Sequence, residues 1–183
     1  VKGVGTMAVK AIIEARRDDS FTSIFDFCER VDTQKVNRKV LEALVQCGAF
    51  DSLGVGRAPT FAAVDRALDI AQRQEANRNQ IDLFGAQAEA TGTVDETVLR
   101  EDPEVPEWSD RERLRLERKC LGFYVSGHPL DSYVSELGRY ATHTTANLTA
   151  AGDRAEVSFG AMVSKINERV GKTGKRTAFV TVE

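Results

Sequence analysis

Two glycines near the start of the chain, Gly3 and Gly5, form the pattern with the clearest chemistry. They flank one valine and stand just before a predicted helix over about 7–17. Glycine lets the backbone approach a ligand closely. The first N–H groups of the following helix lack internal partners and point outward with a partial positive charge. The pattern predicts a phosphate-binding turn, although an ordinary glycine turn before a helix accounts for the same residues.

Basic side chains stand beside this hairpin and at a later helix start. Lys2 and Lys10 flank the hairpin, while Arg38 and Lys39 open a predicted helix over 38–47. The helix dipole disfavours cations in a first turn, so this later pair indicates either a nearby anion or a solvated face. The hairpin and its helix correspond to the second half of a helix-hairpin-helix motif. The residues predicted to bind duplex DNA phosphates are Lys2, Gly3, Gly5, Lys10, Arg38 and Lys39.

A second, degenerate hairpin is predicted at Gly48–Gly54, between the helix over 38–47 and a long helix over 59–78. Apolar residues at helical spacing support these helices and another over 23–31. Helix, hairpin and helix therefore occur twice. A tandem pair of this kind would hold both strands of a duplex through phosphates, without reading its sequence.

The stretch Gln80–Phe84, with the sequence Gln-Ile-Asp-Leu-Phe, is another candidate site. Ile81, Leu83 and Phe84 would expose apolar area at the edge of a compact region. Such a cluster either packs on its own domain or is carried to a partner. The acidic residues 86–108 that follow have no apolar period and predict a flexible linker.

The net charge of −3 hides an uneven charge distribution. Residues 80–112 carry ten Asp or Glu and two Arg, so the low pI does not argue against nucleic-acid binding. Cys28, Cys47 and Cys120 lack metal-ligand spacing, which predicts buried free thiols in a reducing cytoplasm. No stretch approaches the roughly 20 apolar residues of a membrane span, and we expect no membrane partner.

The C-terminal third combines helices with strands. Helices are predicted over about 109–121 and 129–140, with His128 as a cap or turn residue rather than a catalytic or metal-binding one. Alternating apolar residues predict strands over 156–166 and 176–183, joined by a turn over 171–175. An antiparallel barrel cut short fits this pattern, and the basic turn would face nucleic acid or simply be solvated.

Taken together, these segments resemble the C-terminal half of the bacterial replicative C-family DNA polymerases, the alpha subunits of DNA polymerase III. The segments occur in the family's order and cover nearly the whole chain apart from the acidic linker. No single motif is decisive, but the ordered set is highly specific. The segments that carry the resemblance are Lys2–Gly5, Val36–Leu44, Gly48–Asp51, Gln80–Gly85, Leu121–Leu130 and Thr177–Glu183.

The resemblance implies a mainly α chain that is a piece of a longer enzyme. It implies that Gln80, Ile81, Asp82, Leu83 and Phe84 bind the sliding clamp, and that the last strands begin an OB domain near single-stranded template. The polymerase palm and its Mg²⁺ would lie upstream, so this chain is expected to have no catalytic residue and no cofactor. The expected divisions are the end of the fingers with the tandem hairpin module (1–79), the clamp motif (80–85), the linker (86–108), a helical connector (109–152) and the OB start (153–183).

Two alternatives remain open at the level of sequence. One is a clamp-tethered helix-hairpin-helix repair module without polymerase activity. The other is a purely structural helical domain in which Gln80–Phe84 packs on its own core. Within the family, the residues do not separate the main replicative subunit from a specialised paralogue.

Overall fold

The computed structural model describes residues 1–84, 104–171 and 174–183 and divides into two compact units, Val1–Ser126 and Gly127–Glu183. The predicted mainly α chain with a small antiparallel hairpin is confirmed. In the first unit the helices are α1 (Thr6–Ala15), α2 (Ile24–Arg30), α3 (Arg38–Gln46), α4 (Arg57–Phe84) and α5 (Asp110–Leu121), with a 3₁₀ turn at Asp51–Leu53.

Three of these helices begin at the predicted polar caps. The Ser23 hydroxyl accepts from the Asp26 amide at 3.1 Å, and the Asn37 side chain accepts from the Val40 amide at 3.2 Å. Ser109 caps α5 in the same way, at 3.3 Å from the Glu112 amide. Each cap satisfies an amide that the helix itself cannot.

The core of the first unit lies where α2 and α3 pack against α4. Ile24 and Leu41 are fully buried there, each side chain contributing about 1.5–3 kcal/mol. The Phe27 and Phe50 rings meet edge to face at 5.1 Å, which joins α2 to the turn after α3. Of the three free cysteines, Cys28 and Cys120 are buried and Cys47 is partly buried.

Helix α4 is longer than its apolar pattern predicts. It spans 28 residues, beginning at Arg57 and ending at Phe84, so the backbone of the Gln80–Phe84 stretch is helical. Among its described side chains, 57–78, the last buried apolar one is Ala71, and beyond it an Arg78–Glu29 ion pair at 2.9 Å joins α4 to α2. The apolar stripe ends before the helix does, and this is why the pattern predicted a shorter element.

Helix α5 belongs to the first unit although residues 85–109 separate it from α4 in sequence. The Trp108 ring packs on Phe61 of α4 at 5.5 Å, and α5 also contacts α3. The division into units falls after Ser126, within the stretch 109–152 that the sequence predicted as a connector. The boundary between the predicted clamp motif (80–85) and linker (86–108) falls within residues 85–103, outside the described residues, and the five-part division stays a prediction.

The second unit contains a 3₁₀ turn at Asp131–Tyr133, helix α6 (Val134–Tyr140), a 3₁₀ turn at Leu148–Ala150 and strands β1 (Val163–Val170) and β2 (Arg176–Val182). The strands pair antiparallel, with Ile166 opposite Val180, and both of their faces are exposed. His128 is a turn residue, as predicted, because its Nδ1 accepts from the Leu130 amide at 3.1 Å. Along the described residues, no helix combines the length and apolarity of a membrane span.

Strand β1 begins at Val163, seven residues later than the alternating pattern predicted. In the described ranges, no strand pairs with the residues before Met162; there the Ser158 carbonyl accepts from the amides of Thr142 and His143, at 2.8 and 3.0 Å. Alternation alone therefore does not make a strand, since a ladder needs a partner.

Candidate nucleic-acid interface

The first hairpin, Lys2–Gly5, is open to solvent at both of its glycines. Gly3 has φ +86°, a conformation that favours glycine, and Gly5 is the extended residue just before α1. A Cβ built on either glycine would meet nothing within 4 Å. The Val4 amide closes the turn on the Val1 carbonyl at 3.3 Å, so a ligand can approach the glycine backbone directly.

The amides that follow this hairpin are available to a ligand. The Val9 amide already donates to the Gly5 carbonyl at 3.1 Å. Among the described residues, no side chain or carbonyl accepts from the amides of Thr6 and Met7, and both residues are exposed. Unpartnered amides at a helix start carry a partial positive charge that attracts anions.

The predicted cations differ in how free their charges are. Lys2, Lys10 and Lys39 are exposed and have no ion pair within the described ranges. The Arg38 guanidinium is held by Glu42 at 2.8 Å and by Asp65 of α4 at 3.0 Å. Arg38 therefore already has carboxylate partners, whereas the three lysine ammonium groups have none in the described ranges and can pair with an added anion.

The first hairpin is fixed by the end of α5. The Lys2 amide donates to the Cys120 carbonyl at 2.7 Å, and the Lys2 ammonium lies 3.7 Å from where a Cβ of Gly122 would stand. The carbonyl end of a helix favours a cation. Val4 packs partly buried against the core, so both sides of the hairpin are anchored while its glycines stay open.

The hairpin repeats more closely than the sequence reading recognised. Gly54-Val55-Gly56 copies Gly3-Val4-Gly5 and stands immediately before α4, as the first tripeptide stands before α1. Gly54 has φ +75°, and the Gly56 carbonyl accepts from the Thr60 amide at 3.2 Å. The predicted second hairpin at Gly48–Gly54 ended two residues short, and the repeated tripeptide was the signal that would have extended it.

The second hairpin holds a buried arginine. Arg57, 8% exposed, donates to both oxygens of Asp51 at 2.8 and 2.6 Å and to Glu117 of α5 at 3.3 Å. The bond to Asp51, with Glu117 beside it, raises the pKa of the Arg57 guanidinium above its ordinary value although burial opposes this. A Cβ on Gly48 would collide with this guanidinium, so glycine is required there.

Glu117 is the second residue that the sequence reading missed. Its side chain is fully buried, and its other oxygen accepts from the amides of Val125 and Ser126 at 2.7 and 3.0 Å. Burial would raise the pKa of Glu117, but these amides and Arg57 outweigh it, and the pKa lies below its ordinary value. The available signal was an acid three residues after Leu114, on the apolar face of α5.

A third acid lies at the start of α4. The Glu107 carboxylate accepts from the Ala58 amide at 3.1 Å and from the Trp108 amide at 2.8 Å. It touches the backbone of Gly56 so closely that a Cβ there would collide with it. At the second hairpin, the Arg57 guanidinium is therefore already paired with carboxylates of the chain, and the Ala58 amide already has Glu107 as its acceptor.

The remaining predicted sites are placed as follows. Gln80–Phe84 lies at the C-terminal end of α4, but its side chains lie outside the described residues. In the β-hairpin turn, Lys175 and Arg176 are exposed, and Lys172 lies outside the described residues.

Comparison with known proteins agrees with this geometry. A family model described as "Helix-hairpin-helix motif" matches residues 1–60. Proteins named DNA polymerase III subunit alpha match the chain: that of Vibrio cholerae is 39% identical over 93% of this chain and 15% of its own length. That of Neisseria meningitidis is 39% identical over 100% and 15%, and that of Mycobacterium tuberculosis 35% over 100% and 16%.

The chain therefore spans only about one sixth of the length of these relatives. The matches run along nearly all of it, including both hairpins and the strands. This confirms the resemblance inferred from the motifs: the chain is similar, from end to end, to a segment of DNA polymerase III subunit alpha.

Proposed function

We propose that this chain binds duplex DNA independently of sequence, through phosphate contacts at the first hairpin. The observation that carries the proposal is the open Lys2–Gly5 turn followed by the amides of Thr6 and Met7, which have no acceptor among the described residues. Lys2 lies in this turn and Lys10 one helical turn after Thr6, and neither has an ion pair in the described part of the chain. Backbone amides and lysines contact phosphate without reading bases. Lys39 is a further contact, and Arg38 joins it by exchanging a carboxylate partner for a phosphate.

The experiment measures duplex affinity against salt for the 183-residue chain. Replacing Lys10 or Lys2 with Ala removes one phosphate contact, so the slope of log affinity against log salt should become shallower by about 0.9 for each. Lys35→Ala is the matched control, because the Lys35 charge is already neutralised by Asp32 at 2.7 Å. Equal slopes in all three variants and the unaltered chain would contradict the proposal.

We further propose that the parent protein is a DNA-directed DNA polymerase of bacterial chromosomal replication. The support is the name of its relatives, DNA polymerase III subunit alpha, together with the match along nearly the whole chain. Nucleotidyl transfer and its Mg²⁺ belong to parts of the parent protein outside this chain. The chain itself holds DNA, and the parent works in the cytoplasm. The strands, exposed on both faces, fit the start of an OB domain that would contact single-stranded template.

The clamp-binding role of Gln80–Phe84 is also a proposal, supported by its sequence and its position at the end of α4. Apolar side chains entering a clamp pocket contribute about 1.5–3 kcal/mol each, less the cost of ordering the segment. The motif alone therefore binds weakly. Attachment to a protein already on the same DNA raises its effective concentration and gives processive synthesis.

Leu83→Ala combined with Phe84→Ala should abolish binding to the sliding clamp and leave duplex binding unchanged. A pull-down with purified clamp and an anisotropy titration with duplex measure the two effects separately. Clamp binding that survives the double substitution would rule out this motif.

A further inference from the structure

The two hairpins end in the same tripeptide but meet different neighbours. At the first, the amides after Gly5 are open. At the second, the carboxylate of Glu107, from 49 residues further along the chain, lies on the Ala58 amide. We propose that Glu107 occupies the place of a DNA phosphate at the second hairpin and keeps that hairpin closed to duplex DNA until the carboxylate is displaced. The inference rests on the proposed function.

The two hairpins are equivalent in backbone geometry. Gly3 and Gly54 have φ +86° and +75°, and Gly5 and Gly56 each accept the first helical hydrogen bond, at 3.1 and 3.2 Å. The family match over residues 1–60 also includes both hairpins. An anion that fits the first hairpin therefore fits the second.

The second hairpin has few backbone amides available to an anion. Pro59 has no N–H to donate, and the Thr60 amide already donates to Gly56. Only the amides of Arg57 and Ala58 remain in the first turn of α4. Because Glu107 takes the Ala58 amide, a phosphate oxygen and the Glu107 carboxylate compete for the same donor.

The Glu107 carboxylate lies very close to the Gly56 backbone. A Cβ on Gly56 would overlap the Glu107 carboxyl group, so this anion lies directly against a glycine that has no side chain to exclude it. This is the close approach that a phosphate needs at a glycine hairpin. The site thus already binds an anion, and that anion belongs to the chain itself.

The Glu107 carboxylate can be displaced from the second hairpin. Glu107 is exposed, and within the described residues two hydrogen bonds hold its carboxylate, from the amides of Ala58 and Trp108. The Arg57 guanidinium is engaged elsewhere, with Asp51 and Glu117. Displacing Glu107 therefore breaks no buried ion pair, whereas opening the Arg57 network would.

Duplex affinity against salt tests the inference with the variant Glu107→Ala. One additional phosphate contact steepens the log–log salt slope by about 0.9, which corresponds to about fivefold to tenfold tighter binding at 0.1 M salt. Asp110→Ala is the control, because it removes one carboxylate of the same charge, whose ion pair among the described residues is with Arg113 of the same helix at 2.9 Å. Equal slopes for Glu107→Ala and Asp110→Ala would overturn the inference.

Backbone amide NMR with inorganic phosphate gives a readout that does not depend on duplex binding. In Glu107→Ala, the Ala58 amide should shift with added phosphate, whereas it should stay unchanged in the unaltered chain at the same concentration. Glu107→Gln keeps the oxygen acceptor without the charge and should give a smaller shift. An Ala58 amide insensitive to phosphate in Glu107→Ala, with its spectrum otherwise folded, overturns the inference.

The two experiments separate the inference from the proposed function. Suppose that the unaltered chain does not bind duplex but the Ala58 amide responds to phosphate only in Glu107→Ala. The proposed function then fails, while the competition between Glu107 and phosphate for the Ala58 amide is supported. If the unaltered chain binds duplex with a Lys10-dependent slope but Ala58 never responds, the competition fails and the proposed function stands.

Discussion

The two hairpins of the first unit share the tripeptide Gly-Val-Gly and a positive φ at its first glycine, yet they differ in the partners of their amides and basic side chains. The first leaves its amides unpartnered, beside lysines with no ion pair in the described part of the chain. The second satisfies its arginine with Asp51 and Glu117 and one amide with Glu107. The difference shows that residues outside a motif decide whether its backbone amides stay open.

The neighbours that close the second hairpin come from distant parts of the chain. Glu117 and Glu107 stand in or just before α5, which also supplies the Cys120 carbonyl that anchors the first hairpin. One helix therefore supports an open site and contributes to a closed one. The second hairpin consequently stabilises the fold, while the first hairpin keeps amides that are open to a ligand.

The largest expected effect comes from opening the ionic network of the second hairpin. Glu117→Ala leaves the buried Arg57 guanidinium without its inner partner and the Val125 and Ser126 amides without an acceptor. Removing one member of a buried ion pair typically costs about 3–5 kcal/mol of unfolding free energy. Urea denaturation measures the loss, with Glu112→Ala as control, since its exposed pair with Arg115 contributes little.

The same carboxylate predicts an acid-dependent stability. Because folding lowers the pKa of Glu117, its contribution is complete above the pKa in the unfolded chain, about 4.3, and is lost as the pH falls through the folded-state value. Glu117→Gln should remove this part of the pH dependence below about pH 4. A stability of Glu117→Ala within error of the unaltered chain would show that the network contributes nothing.

Two glycine substitutions compare the hairpins directly. Gly3→Ala forces an alanine to φ +86° with open space around it, a strain of about 1–2 kcal/mol. Gly48→Ala adds to the same strain a collision with Arg57 and Asp51, so it should destabilise the chain more than Gly3→Ala. Thermal unfolding of both variants measures the order, and a Gly48→Ala variant as stable as Gly3→Ala would mean that Arg57 is not held as described.

Much of this fold follows from the sequence because its signals are local. The caps at Ser23, Asn37 and Ser109 and the apolar stripes predicted α2, α3 and α5 to within one or two residues. The end of α4 was predicted too early, since none of residues 72–78 is a buried apolar residue that would extend the pattern. The start of β1 was predicted too early because pairing is a long-range property.

The candidate site was predictable only in part, for the same reason. Gly3 and Gly5 are adjacent to the helix that they serve, so their role is visible in the sequence. Glu107 and Glu117 act on residues 49 and 60 positions away, where charge pattern alone gives no distance. Only folding brings them to the second hairpin, and composition had assigned Glu107 to a solvated linker.

Backbone amide NMR of the chain with a mixed-sequence duplex tests the central claim most directly. The account predicts that the amides of Thr6 and Met7 shift as duplex is added, that these shifts weaken as salt is raised, and that the Ala58 amide changes little while Glu107 is present. Shifts confined to the start of α4, with Thr6 and Met7 unaffected, would contradict it.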